Sequence, residues 1–345
     1  SGAPCIRTNI SSMRFLAAGN GWWLADRCFA ARRAAASYLS AGLDRYPETV
    51  DVLHSLILGY RRLSYEMRQI FVLTGTLHIF AISGSHVVVM AGIITAVLGM
   101  FRISSIWWGL FLAPLLFAYA FATGLQSSAV RACVMAVIYW GAPLLGRRAD
   151  GVTALCASAF VILAVAPTQL LDTGFILSFV CVLGLILLYH PINAPIRQLL
   201  EPDPLRLQPE SRIIATLRAA GTAGWSVIAM SLAAWLVSAP LIAYYFGNFT
   251  PVGLVSNLIV IPLSFFVILA GCLSVVLGAC AYWLAVVFNH ANLALIGLMV
   301  KSMKLISLVP FGNMTIEHVP LWSVFTWYGL LAIWLMHRRC VEMAK

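Results

Sequence analysis

Charge is what this sequence has least of. Of its 345 residues, 10% are Asp, Glu, Lys or Arg, against about a quarter in an ordinary soluble domain. So few charges cannot coat a water-soluble surface of this size. The chain is expected in a membrane, with its length read as a bundle of spans rather than as two soluble domains. Lysine is nearly missing, with Lys301, Lys304 and Lys345 the whole complement. Acids are also few, 12 against 22 Lys+Arg, which leaves a net charge of +10. Other absences exclude chemistries. No G-x-x-x-x-G-K-[ST] segment occurs, so ATP hydrolysis by a P-loop is excluded. The 8 cysteines form no C-x-x-C pair, and most lie in apolar runs where a thiol acts as a small hydrophobe. No catalytic residue, metal or cofactor is expected. No internal repeat is found, which leaves an inverted-repeat transporter without support. The chain opens Ser1-Gly2-Ala3-Pro4 with no methionine and no signal-peptide pattern, so it reads as an excerpt of a longer protein.

What is present is hydrophobic: 61% of the residues, with a mean hydropathy of +0.92. A spanning helix needs about 20 mostly apolar residues. Runs at 78–100, 106–122, 129–145, 152–166, 174–189, 223–245, 252–278, 280–300 and 319–336 meet or approach that length. The fold expected is an all-α polytopic membrane protein of about nine transmembrane helices. Residues 1–75 differ, because Arg32, Arg33, Arg61, Arg62 and Arg68 recur at helical spacing among apolar residues. They read as amphipathic helices on the membrane surface or packed on the bundle. The remainder divides into a first transmembrane half (76–190), a polar Pro/Arg-rich loop (191–222) and a second half (223–345). Most loop arginines fall on one side if nine spans alternate. By the positive-inside rule that side is cytoplasmic, placing the N-terminal segment outside and the C-terminus inside.

All acids lie outside the apolar runs. Cation-coupled carriers keep carboxylates within the bilayer, so their absence argues against that class. The polar groups at membrane depth are of another kind. His78-Ile79-Phe80-Ala81-Ile82-Ser83-Gly84-Ser85-His86 opens the first run. Ser83 and His86 share a helical face, and Gly84 permits a break or a close approach. An intramembrane Ser/His hydrolase is one reading, weakened by the lack of an orienting acid or a G-x-S-x-G. A polar helix–helix contact is a second, and a pathway lining is a third. Arg131 opens another run, either snorkelling to the interface or presenting a guanidinium to phosphate at a pathway mouth. Asp172 either caps the helix after it or neutralises Arg131. Asn248 lies in the aromatic turn at 244–251, and Asn257 and Pro262 interrupt the apolar run that follows.

These residues carry a resemblance. Leu56-Ile57-Leu58-Gly59, the stretch from His78 to His86, and Thr123-Gly124 through Arg131-Ala132 to Met135 are similar to segments of the competence domain of the ComEC family of DNA-uptake inner-membrane channel proteins. Asp172-Thr173-Gly174-Phe175-Ile176-Leu177-Ser178-Phe179, Phe246-Gly247-Asn248-Phe249, and Asn257 through Pro262 continue it in family order, over about residues 50–270. Ile176 stands where the family often has glutamine, and Ser85 where leucine is usual. The OB-like and metallo-β-lactamase-like modules of family members are not evident in this sequence. The resemblance implies a channel for single-stranded DNA in the bacterial plasma membrane during natural transformation. It also implies membrane lipid around it, a cytoplasmic ATP-driven motor and an outer DNA receptor protein. His78, Ser83, Gly84, His86, Arg131, Asn248 and Asn257 are then pathway candidates, with Asp172 a charge partner. A transporter of small anions or lipid precursors is the alternative from another class.

Overall fold

The computed structural model describes residues 23–60, 62–200, 211–310, 312–317 and 319–343. Twelve α-helices account for most of them, in the order α1 (Trp23–Ser40), α2 (Pro47–Leu58), α3 (Tyr65–Leu73), α4 (Gly84–Met100), α5 (Trp108–Ala122), α6 (Ser127–Gly141), α7 (Gly151–Val165), α8 (Thr173–Leu200), α9 (Arg212–Phe246), α10 (Gly253–Gly278), α11 (Tyr282–Ser307) and α12 (Leu321–Met343). Two-residue strands β1 (Asn248–Phe249) and β2 (Met314–Thr315) pair antiparallel, joining the turn before α10 to the loop after α11. This is an all-α polytopic membrane protein.

Helices of six segments, Ser105–Ala122, Ser127–Leu145, Thr173–Leu200, Arg212–Phe246, Gly253–Gly278 and Tyr282–Ser307, are long and apolar enough to cross a bilayer. The expected count of about nine is therefore not reproduced by length and composition. The helices α4 and α7 are apolar but have only 17 and 15 residues, and α12 is absent from the six because tryptophan, histidine and arginine dilute its apolar residues. Two parts of the loop expected at 191–222 are helical. Pro191 and Pro195 lie inside α8, and α9 starts at Arg212. A proline removes one backbone donor and strains a helix, but neighbouring helices in a bundle can satisfy the freed carbonyl. Residues 201–210, with Pro202, Pro204 and Pro209, lie outside the described residues, as do Arg61 and residues 1–22.

The N-terminal helices are not a surface layer. Pro47 opens α2 at a position where its missing N–H is no loss, and Gly59 closes it in the left-handed conformation with φ +70°. All seven residues from Val52 to Leu58 are buried. Val52, Leu53, Leu56, Ile57 and Leu58 belong to the largest apolar cluster, with Leu39 of α1, Leu43 just after it, Val260, Val267 and Ile268 of α10, and Ile296, Met299 and Met303 of α11. Of the two placements open from sequence, packing against the bundle is the one adopted. Small residues allow it: a Cβ on Gly271 would collide with Ile57 of α2, and one on Gly278 would lie 2.7 Å from Ala285. Close backbone approach through glycine is the usual device where lipid supplies no hydrophobic drive.

Two polar contacts complete the docking. Asn289 of α11 donates from Nδ2 to the carbonyls of Tyr38 (2.8 Å) and Ala41 (2.9 Å), and accepts from the Ser274 hydroxyl of α10 at 2.7 Å. One amide thus satisfies the end of α1 and links three helices. His54 of α2 places Nε2 3.2 Å from both the Ser40 hydroxyl and the Ala36 carbonyl. Burial pushes the His54 imidazole below its ordinary value of 6.5, with the Ala36 carbonyl opposing and Arg62 assisting.

Two outcomes are expected. Gly271→Val should destabilise the protein by about 1–3 kcal/mol, the usual result of overpacking, read as a lower Tm in detergent; an unchanged Tm would refute the α2–α10 packing. His54 is neutral when folded and binds protons more readily when unfolded, so its contribution is present above pH ~6.5 and fades as pH falls below it. His54→Gln should therefore flatten the fall of Tm between neutral and mildly acidic pH.

Candidate functional site

Three chain breaks meet beside α10 rather than at its end. Gly271 touches Ile57 of α2, and Cys272 lies 3.6 Å from Met90 of α4. Gly271 stands seven positions before Gly278, the last of α10, so the end of α2 lies about 10 Å in from that end of the helix. Here α2 stops, α4 starts and α6 starts.

The end of α2 leaves carbonyls that helix geometry cannot satisfy. Each is attended by a different element. The Leu58 carbonyl accepts from Arg32 Nη2 of α1 at 2.6 Å, and the Ile57 carbonyl accepts from the Tyr119 hydroxyl of α5 at 3.3 Å. The ring of His86, in α4, faces the Leu56 carbonyl outside hydrogen-bond geometry. The Gly59 N–H turns back to the His54 carbonyl.

The start of α4 is preceded by a 3-10 turn, Leu77–Phe80, and a short extended piece through Ile82. An extended residue in a bundle has no ladder partner, and both its polar groups need one. Side chains from the start of α6 provide them. The Ile82 N–H donates to Gln126 Oε1 at 3.1 Å, and its carbonyl accepts from the Ser128 hydroxyl at 2.5 Å. Gln126 also lies against Gly59, where a Cβ would stand 2.9 Å from Nε2. The preceding turn is sharp, with Gly124 at φ +87° and Leu125 at φ +49°.

Ser83 and His86 are brought together, but locally. The Ser83 N–H donates to His86 Nδ1 at 3.3 Å, and the Ser83 hydroxyl lies 3.1 Å from the same nitrogen. Because Nδ1 accepts the backbone N–H, the ring proton sits on Nε2, the tautomer this network assigns. The pair closes the first turn of α4, as a capping arrangement does. Gly84 begins that helix 3.7 Å from Ala132 of α6. His78 stands outside this cluster, exposed, with Nδ1 3.2 Å from the Gly75 carbonyl.

Arg131 lies one turn beyond Ser128 and is 4% exposed. It is not the unpaired guanidinium of a pathway mouth. Its Nη2 donates to the Gly174 carbonyl at 3.0 Å, and Nη1 lies 3.6 Å from Asp172 Oδ2. Asp172 in turn accepts the Gly174 N–H at 3.1 Å. The two roles open to Asp172 from sequence are therefore both filled: it caps α8 and neutralises Arg131. Asn248 sits in β1 opposite Thr315. Asn257 lies in the second turn of α10 with Oδ1 buried and unbonded. No hydrogen bond joins either to the junction among the described residues, and no group of three His, Cys, Asp or Glu there could hold a metal.

Gln126, Ser128, Tyr119 and Arg32 were missed as site residues from sequence. Only Gln126 and Ser128 carried a signal, as polar residues beside the Thr123-Gly124 turn. Electrostatically the junction gathers the N-termini of α4 and α6, each worth about half a positive charge. Asp172→Ala should lose both the cap and the counter-ion and lower stability by about 2 kcal/mol. Asp172→Asn, which keeps an oxygen for the Gly174 N–H, should lose less; equal Tm values for both variants would count against the cap.

The sequence pattern of the family described as "Competence protein" matches residues 56–340. The ComE operon protein 3 of Bacillus subtilis (strain 168) is 29% identical over 245 residues, covering 67% of this chain and 27% of that relative. The chain therefore spans little more than a quarter of that relative's length. No solved structure matches. With the family pattern running from the end of α2 through the junction and into α12, this chain belongs to the competence protein family.

Proposed function

We propose that the chain forms the part of a plasma-membrane channel that conducts single-stranded DNA during natural transformation. One observation carries the reading beyond family membership: none of the six long apolar helices contains Asp or Glu. A polyanion moving among helices is repelled by carboxylates and stabilised by guanidiniums and helix N-termini. The junction supplies the latter, with α4 and α6 starting near the end of α2 that Arg32 holds. Discontinuous helices inside a bundle are where membrane proteins place their transport sites.

On this reading α4, α7 and α12 complete a bundle of nine spans. The 3-10 segments Leu77–Phe80 and Pro167–Leu171 lengthen the two short ones. The N-terminal segment then lies outside and the C-terminus in the cytoplasm. Without a nucleotide-binding loop of its own, the chain takes its drive from a cytoplasmic ATP-driven motor and receives the strand from an outer DNA receptor. His78, Asn248 and Asn257 remain pathway candidates on this reading. A transporter of small anions or lipid precursors would use the same positive junction. The 3.1 Å contact of Ser83 with His86 supports an intramembrane hydrolase only if Ser83→Ala abolishes labelling by a serine-reactive probe.

Gln126→Glu tests the channel. It preserves the oxygen that accepts from Ile82 and adds a carboxylate beside the path. Uptake of labelled DNA by competent cells should fall about tenfold or more at unchanged protein level, as a like charge on the path requires. Normal uptake would refute a DNA route through the junction, and loss of phosphate flux with normal DNA uptake would favour the small-anion alternative.

A further inference from the structure

Beside the junction two arginines share one aromatic ring. The guanidinium carbon of Arg32 lies 4.2 Å from the centroid of Tyr60, and that of Arg62 lies 5.0 Å from it. Tyr60 follows Gly59 directly, so the ring stands where α2 ends and Gln126 approaches. Arg32 is fixed by its bond to the Leu58 carbonyl, yet its Nε is buried without a hydrogen-bond partner. Arg62 is exposed. Among the described residues neither arginine has an acid: the ion pairs there are Arg131–Asp172 and Lys304–Glu66. Asp51 is felt at His54 without pairing to either. Burial pushes the Arg32 guanidinium down, Tyr60 opposes, and the nearby Arg62 charge adds to the depression.

Two like charges on one ring, with no carboxylate between them, are an arrangement that an anion would relieve. The ring's π face attracts each guanidinium but does not cancel its charge. The pattern continues outward: Tyr65 is 79% exposed, and Arg68 lies three residues on, on the same face of α3. Arginines alternating with aromatic rings suit a single nucleic-acid strand, whose phosphates take the charges while its bases stack. A lipid headgroup would need the charges alone.

We propose that Arg32 and Arg62, held by Tyr60, form a phosphodiester-binding site at which a single strand is first gripped before the junction. This rests on the channel reading above and assigns its entry contact. Arg32 supports the end of α2, so the working substitution is at exposed Arg62.

The test uses the full chain in nanodiscs of phosphatidylcholine and a labelled oligothymidylate, titrated by fluorescence anisotropy over a salt series. R62Q should weaken binding about tenfold and reduce the log–log salt slope by about 0.7, the share of one phosphate contact on a single strand. R62K should keep the slope while losing affinity, because an ammonium lacks the planar fork. R33Q, which removes an exposed arginine not held by the ring, should bind as wild type does. Equal losses in R62Q and R33Q, or wild-type affinity and slope in R62Q, would overturn the site while leaving the channel reading intact. Failure of the wild type to bind oligothymidylate would overturn both. Loss of co-purifying phosphatidylglycerol from R62Q with unchanged oligothymidylate binding would make the pair a headgroup site instead. An unchanged Tm in R62Q is the folding control.

Discussion

A helix that ends against packed neighbours has carbonyls its own hydrogen bonds cannot satisfy, and α2 ends in this way, with Leu58 buried. Its last turn requires donors from other elements, since each unsatisfied backbone group in a low-dielectric interior costs several kcal/mol. Arg32 from α1 and Tyr119 from α5 provide them, and the ring of His86 faces a third carbonyl. This requirement fixes the relative positions of α1, α2, α4 and α5. It also explains why Gly59 must be glycine. The residue turns left-handed at φ +70° and lies so close to Ile82 and Gln126 that a Cβ would stand 2.6 and 2.9 Å from them.

The same rule governs the piece of chain before α4. Ile82 is extended and buried, and its two polar groups are answered by two side chains of α6. The break is therefore a built element, stable in one arrangement. What it achieves is to bring two helix N-termini together within the bundle, alongside the unbroken helix α10. Positive potential is concentrated there without placing additional charged residues within the spans. Asn289 solves the equivalent problem at the C-terminal end of α1, so the long pair α10 and α11 carries the N-terminal helices on one stripe of glycine, serine and asparagine.

Much of this was legible from the residues. Scarce charge and long apolar runs identify a membrane bundle, and the segments around Ser83, Arg131 and Asp172 marked its unusual places. Local pairings were readable too, because Ser83 and His86 are three apart on one helix. The roles were less so. Arg131, open from sequence to the interface, to a pathway mouth or to pairing with Asp172, is buried against Asp172. The N-terminal helices, open from sequence to the membrane surface or to packing on the bundle, contain the buried helix α2. Arginine spacing records which face is polar, but Arg32 spends its polarity on a carbonyl 26 residues away. The count of about nine spans is not reproduced at α4 and α7, whose helices have 17 and 15 residues.

By itself the sequence determined the class of solvent the chain is built for, the absence of acids from its apolar runs, and glycines such as Gly59 and Gly247 at which helices stop. These follow from composition and short-range spacing, which act through a residue's own helix. Only the tertiary structure decided which donors meet which orphan carbonyls, as when Asn289 answers Tyr38 across 251 positions. Such pairings depend on how whole helices cross and how closely glycines let them approach, and no local pattern encodes that distance.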